Sequence, residues 1–272
     1  MAQQRDRTGF PVWLYPNLLS LDAPVVAVVW QSFLAHCYLL SMRESGRVVL
    51  FLSVWWVYLA DRLLDVRRPA RALEPARHRF YRRYHKQAQW LLAAVSLLNL
   101  LLIIFWLRPA VFHNGLIALA GISVYFVLVH TRRSLLLPKE LAAALLFTLG
   151  TFLVPWTIAA HPFEQLLRPA AVFLLLCFAN LVAIETWEWR ELRGGEPPRP
   201  HPFTVASSRF LPVWAPLLAL ACLLPGEAPF YRAVALSAVA TALLFARGGR
   251  MSLEARRALV DGVLLSPLLF LL

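Results

Sequence analysis

The chain has 272 residues, 60% of them hydrophobic and only 15% charged, yet its formal net charge is +12. Soluble domains run at about 45–50% apolar, so a water-soluble globule is excluded, and a nucleic-acid binder, whose basic groups would cover a hydrated face, fits no better. A mean hydropathy of +0.61 with basic links between apolar stretches describes a polytopic membrane protein.

A membrane-crossing helix needs about 20 mostly apolar residues. In chain order the pattern predicts spans near 24–42, 47–64, 88–107, 110–130, 140–160, 168–186, 210–225, 229–246 and 257–272. The expected fold is an all-α, polytopic membrane helical bundle of nine transmembrane helices, forming a single domain over residues 1–272. The first 20 residues are polar and contain proline, so no cleavable signal segment is expected. Short links at 43–47, 108–109 and 225–229 read as tight turns between antiparallel helices. Cys37, Cys177 and Cys222 lie in apolar stretches far from any motif and read as packing residues.

Lysine and arginine favour cytoplasmic loops. With the N-terminus inside, 22 of the 27 Lys and Arg residues fall on the inner side, and Arg43, Arg47, Arg108, Arg168 and Arg232 fall outside. The C-terminus is then expected on the opposite face. About half of the inner arginines are accounted for by anchoring to anionic membrane lipid alone.

Every cluster of polar residues falls at that inner side. Asp61 and Asp65 close the second span, and their i,i+4 spacing puts both carboxylates on one helix face. Paired carboxylates at a membrane boundary are costly and mark function by default. They suit a hard cation such as Mg²⁺, which takes one or two carboxylates and completes its shell with substrate phosphate oxygens. The competing reading is a helix-end pair neutralised by Arg62, Arg67 or Arg68. Arg132 and Arg133 close the fourth span, where guanidinium forks match diphosphate oxygens, and Lys139 adds a point charge; simple anchoring explains them equally well. Asn180, Glu185, Glu188 and Glu191 close the sixth span, with Glu185 and Glu188 on one face; the plain alternative pairs Glu188 and Glu191 with Arg190, Arg193 or Arg199. Asn180 either lines a site or pins two helices together.

Weaker candidates surround these. Asp22 and Gln31 belong to the first span and face a cavity or, for Asp22, cap a helix. Asp261 lies four residues after Arg257 and is expected to pair with it. The run from Arg77 to Lys86, with His78 and His85, reads as a short amphipathic segment lying on the membrane or capping the cavity. His36, His113 and His161 show no metal-ligand spacing, and no phosphate-binding glycine loop, nucleophile elbow or zinc motif is present.

At these residues the chain resembles the UbiA superfamily of intramembrane prenyltransferases. That family has nine transmembrane helices, a cytoplasmic-side cavity and two Asp-rich motifs that bind Mg²⁺ and a prenyl diphosphate. Its first motif, Asn-Asp-x-x-Asp-x-x-x-Asp, is similar to Val57-Tyr58-Leu59-Ala60-Asp61-Arg62-Leu63-Leu64-Asp65. The last two aspartates match, with Ala60-Asp61-Arg62 as many members carry it, and Val57-Tyr58 replaces the leading pair. Arg132-Arg133 ahead of Pro138 resembles the basic pair after the family's fourth helix. Glu185, Glu188 and Glu191 match the second motif loosely, as glutamates at three-residue spacing.

The resemblance implies transfer of a prenyl group from a prenyl diphosphate to an aromatic or other lipophilic acceptor inside the membrane. It implies Mg²⁺ held by Asp61 and Asp65 with Glu185 or Glu188, and a leaving group stabilised by Arg132 and Arg133. Tyr58, Arg62, Lys139 and Asn180 are the expected substrate contacts. Tryptophan and phenylalanine side chains in the spans suit an allylic cation. The departures mark a divergent branch. Two further readings stay open: an intramembrane terpene cyclase, and a non-catalytic protein that binds isoprenoid lipid or scaffolds partners.

Overall fold

The computed structural model describes residues 10–67, 74–130, 138–192, 199–224 and 228–271, and every regular element among them is helical. A 3-10 turn at Val12–Leu14 and the single turn α1 (Tyr15–Leu18) lead into α2 (Asp22–Cys37) and α3 (Glu44–Asp65). Then follow α4 (Ala76–Arg83), α5 (His85–Trp106), α6 (Pro109–His130), α7 (Lys139–Ile158) and α8 (Pro162–Glu191). The chain ends with α9 (Pro202–Leu223), α10 (Pro229–Arg247), α11 (Leu253–Val263) and a 3-10 turn at Ser266–Phe270.

Local chemistry sets several of these boundaries. Proline opens α8, α9 and α10, where its missing N–H would have no helical partner anyway. The His201 Nδ1 accepts from the Phe203 N–H at 3.1 Å to cap α9, and Ser252 Oγ accepts from the Ala255 N–H at 3.2 Å to cap α11. α2 stops early because Leu39 takes a left-handed φ of 52°, which a helix cannot continue through.

Among the described residues, five helices, α5, α7, α8, α9 and α10, are long and apolar enough to cross a bilayer. A sixth crossing arises if Val12–Leu18 and α2, bent by 74° from one another, form one span. α3 is as long as α5 but carries Glu44, Arg47, Asp61, Arg62 and Asp65, and α6 is apolar over Pro109–Val124. The expected ninth span is not one continuous helix. Residues 257–272 hold only the end of the 11-residue α11 and the 3-10 turn that follows, and α11 rises about 16 Å, half the hydrocarbon depth.

Two cores frame the interior. One joins α2, α8 and α10 through Trp30, Phe33, Phe173 and Phe230, all fully buried, with Trp30 donating its indole N–H to the Leu264 carbonyl at 2.7 Å. The other joins α1, α3, α4 and α5 through Leu18, Leu59, Leu63, Phe80 and Tyr81. The expected amphipathic segment at 77–86 is α4: Phe80 and Tyr81 are buried, and Arg79 and Arg83 are exposed. Side-chain hydrogen bonds tie neighbours in the apolar zone, Trp56 to Ser96 at 2.7 Å and Asn99 to Ser53 at 3.0 Å between α3 and α5, and Asn114 to Thr157 at 2.9 Å between α6 and α7. Such bonds substitute for a hydrophobic driving force that lipid does not provide. α5 leans on α3 and α6 on α7.

α8 has 30 residues, about 45 Å of rise, against roughly 30 Å of hydrocarbon. Its last third carries Glu185, Glu188 and Glu191, and Glu188 acts on the same Arg62 and Arg77 as Asp65 at the end of α3.

Candidate functional site

A cavity of about 1700 Å³ is walled by α2, α3, α5, α6, α7, α8 and α11. Its two ends differ in chemistry. One is lined by Asp61, Asp65, Arg62, Lys139, Glu185 and Glu188; the other by Leu100, Ile104, Leu116, Leu119 and their neighbours on α5 and α6. Leu100, Ile104 and Leu119 are each more than half exposed, so the apolar end opens sideways between α5 and α6.

The period of α3 creates the polar wall. Leu59 and Leu63 turn into the core, which leaves Tyr58, Asp61, Arg62 and Asp65 on the stripe facing the cavity. Arg62 lies between the two aspartates, 3.3 Å from Asp61 and 3.7 Å from Asp65, with its guanidinium 5.9 Å from the Tyr58 ring centre. His78 of α4 approaches Asp65 at 3.6 Å. Burial pushes the Asp65 carboxyl up, but the neighbouring His78 and the Arg62 and Arg77 charges outweigh it and hold Asp65 well below the ordinary carboxylate range.

Glu188 is the hub of the opposite wall. Arg77 Nη2 sits 3.0 Å from both Glu188 oxygens, and Arg257 Nη1 lies 2.9 Å from one of them. All three side chains are nearly buried, at 13%, 13% and 6% exposure. Burial, with the neighbouring Arg257 and Arg62 charges, brings the Arg77 guanidinium down to about 10 against the pull of Glu188 and Asp65. Arg62 and Arg77 both feel Asp65 and Glu188, so the carboxylates of α3 and α8 meet within one guanidinium layer. Glu185 pairs with Lys139 at 2.8 Å; Glu140, 4% exposed, lies 3.9 Å from the same ammonium and accepts the Thr204 hydroxyl at 2.7 Å.

The expected site residues Asp61, Asp65, Tyr58, Arg62, Lys139, Asn180, Glu185 and Glu188 all line this one cavity. Arg132 and Arg133 lie outside the described residues. Two expected pairings are replaced. Arg257 binds Glu188 rather than Asp261, and Glu188 and Glu191 take Arg77, Arg257 and Arg256 rather than Arg190 or Arg199. Asn180 both lines the cavity and pins helices: it donates to the Val260 carbonyl at 3.0 Å and to Asp261 at 3.4 Å. The asparagine on α8 thus holds α11, and Asp261 is turned toward Asp22.

Arg257 and Glu140 entered the site without a strong sequence signal. Glu140 follows Lys139 at the start of α7 and Arg257 follows Arg256 within α11, so each has a charged sequence neighbour and reads as part of a solvated helix end. Arg77 carried a better one, its place on a basic amphipathic segment next to the second span.

A divalent cation fits part of this set. Asp61 and Asp65 share one face, are each about a quarter exposed to the cavity, and are held by Arg62 at distances longer than a tight ion pair. Glu185 and Glu188 are neutralised directly by Lys139, Arg77 and Arg257. Among the described residues, no three His, Cys, Asp or Glu side chains gather as a metal cage. Two carboxylates on an open wall suit an ion that completes its shell with phosphate oxygens.

No family model, curated protein or solved structure matches this chain.

Proposed function

We propose that the chain is a divergent intramembrane prenyltransferase of the UbiA type, transferring a prenyl group from a prenyl diphosphate to a lipophilic acceptor. The observation that carries this reading is the single cavity that joins a charged end to a long apolar end. A diphosphate head with an isoprenoid tail needs both, and 1700 Å³ exceeds the roughly 300–1,000 Å³ of an ordinary small-molecule site. In this reading the bundle crosses the bilayer nine times, the last crossing completed by α11 and the 3-10 turn after it. The N-terminus and the charged end face the cytoplasm.

Asp61 and Asp65 are the residues that would hold Mg²⁺, which when bound neutralises the diphosphate. The chain's own cations do the rest. Arg62, Arg77 and Lys139 stand where charge develops on the departing oxygens, joined in our proposal by Arg132 and Arg133. The ester C–O bond breaks with its electron pair going to pyrophosphate. The allylic fragment is sheltered by Phe147 and Trp56 along the cavity wall until the acceptor carbon captures it. The apolar lining of α5 and α6 orients the tail and excludes water.

A second reading has its own observation. Glu185 and Glu188 are already closed into ion pairs, as in a protein that binds isoprenoid lipid without turning it over. Mg²⁺-dependent pyrophosphate release from purified protein, offered prenyl diphosphates of several chain lengths, separates the two. Release that disappears in Asp61→Ala supports transfer. Tight binding without release at any chain length supports the binding reading. Cyclic hydrocarbon or cyclic alcohol products formed with no acceptor present identify a cyclase.

A further inference from the structure

Helix α4 carries basic side chains on two faces, and the cavity accounts for only one of them. Toward the bundle, Arg77 lies 3.0 Å from Glu188, His78 lies 3.6 Å from Asp65, and Arg82 lies 2.9 Å from Glu74. Every basic side chain on that side thus meets a carboxylate. Arg79 and Arg83 stand one turn apart on the face turned away from Arg77 and Tyr81. Both are exposed, as is Lys86 at the start of α5. Among the described residues, none of these three has a carboxylate in ion-pair reach; the Arg83 guanidinium lies 5.6 Å from the Tyr84 ring centre instead. Like charges at i,i+4 repel, a cost that an anionic surface laid against this face removes.

Exposed apolar side chains lie next to these charges. Phe80 of α4 meets Phe10 and Tyr15 edge-on, with ring centres 5.7 and 6.5 Å apart, so the 3-10 turn at Val12–Leu14 stands beside α4. Its Leu14 is buried in the shared core, while Val12 and Trp13 are each more than half exposed. Trp90, one turn beyond Lys86 on α5, is more than half exposed as well. It lies about 8 Å along α5 from His85, on a helix apolar enough to cross the bilayer. Tryptophan sits at the headgroup level, between the cations and the hydrocarbon, and cations beside exposed tryptophan are the composition of an interfacial segment. An acidic protein would match the arginines and leave Val12, Trp13 and Trp90 without a role. A small free anion would leave them equally bare.

We propose that α4 and the 3-10 turn ahead of α1 form a docking surface for anionic phospholipid of the leaflet at the charged end of the bundle, and that this docking seats Arg77 and His78 over the mouth of the cavity. The link between the two faces is mechanical. With eight residues, α4 is below the roughly 12–15 at which a helix holds itself in water, so whatever fixes its outer face also fixes its inner one. Arg77 lines the cavity, and lipid charge outside thereby sets the position of a guanidinium inside, whatever chemistry the cavity performs.

The test uses the full chain in neutral detergent with phosphatidylglycerol or phosphatidylcholine added. Native mass spectrometry reads which lipid is retained, and hydrogen exchange reads the backbone amides of residues 77–84. All the substituted side chains are exposed, so the variants should elute and melt as wild type does. Arg79→Gln with Arg83→Gln should lower the preference for phosphatidylglycerol by about 25-fold, about fivefold for each charge at an anionic surface. Arg79→Lys with Arg83→Lys should keep the preference, since such a surface reads charge and not the guanidinium fork. Arg247→Gln with Arg250→Gln removes two exposed arginines at the end of α10 and in the 3-10 turn after it, and should leave the preference as it was. In wild type, phosphatidylglycerol but not phosphatidylcholine should slow exchange across 77–84 by at least about threefold, as local opening of α4 becomes rarer, and the paired Gln variant at 79 and 83 should lose that protection. An equal loss of preference in the Arg247 and Arg250 pair overturns the proposal, and so does phosphatidylglycerol binding that leaves exchange across 77–84 unchanged. Protection of α4 by glycerol 3-phosphate alone, or by polyglutamate, also overturns it, because neither calls on Trp13 or Trp90.

Discussion

Glu188→Gln tests whether one carboxylate holds the charged end of the bundle together. The substitution keeps volume and shape and removes only the negative charge. It leaves Arg77 and Arg257, 13% and 6% exposed, facing each other with no counter-ion between them. Removing one partner of a buried ion pair costs about 3–5 kcal/mol, because the remaining charge stays desolvated. Here two guanidiniums lose the same partner, so the upper half of that range applies. For a chain of this size 1 kcal/mol moves the melting temperature by about 2 °C, which gives an expected drop of about 8–10 °C. Intrinsic tryptophan fluorescence during a thermal ramp in detergent, checked by size-exclusion chromatography, reads it directly. A double-mutant cycle sharpens the test. In an Arg257→Gln background the Glu188→Gln penalty should shrink by at least about 1 kcal/mol, since directly paired charges are coupled. A Glu188→Gln protein that melts within 2 °C of wild type would refute the hub argument, and so would penalties that simply add.

Four further outcomes follow from the same geometry. Asp61→Ala and Asp65→Ala should each abolish Mg²⁺-dependent pyrophosphate release while the protein elutes and melts as a folded monodisperse species; full activity in either contradicts the roles assigned. Gly115 lines the apolar end of the cavity, and a Cβ there meets nothing within 4 Å. Gly115→Phe should therefore fold normally and shift the preferred prenyl diphosphate to shorter chains, read as KM across a chain-length series; an unchanged preference would place the tail elsewhere. Asp65 is held below the ordinary carboxylate range, so the folded state binds a proton there less readily than the unfolded state does. Its contribution is complete above about pH 4 and is lost as the pH falls further. Thermal midpoints of wild type and Asp65→Asn should thus differ most at pH 6 and draw closer as the pH is lowered below about 4. Thr204→Val removes the hydroxyl that satisfies the buried Glu140, and should lower the thermal midpoint by an amount matching about 1–3 kcal/mol.

Hydropathy and charge made the membrane bundle legible, because lipid leaves a chain few ways to satisfy its backbone. The first carboxylate wall was legible too: i,i+4 spacing on a helix leaves Asp61 and Asp65 nowhere to point but the same face, and Leu59 and Leu63 fix which face is the core. The end of the bundle was not. The 257–272 run is apolar by composition, but Pro267 and Leu264–Leu265 take it out of helical geometry after Val263, and a hydropathy window cannot register that break. Pairing was the least legible property. An i,i+4 rule assigns Arg257 to Asp261, since the rule knows only neighbours on one helix. The bundle offers Arg257 a buried carboxylate on α8 instead, and at 2.9 Å in a poorly screened interior that attraction exceeds what an exposed i,i+4 pair supplies. Once Arg257 is taken, Asp261 is left to face Asp22. Two carboxyls that no sequence rule would join then share a wall of the cavity, for the reason that the stronger ion pair was formed elsewhere.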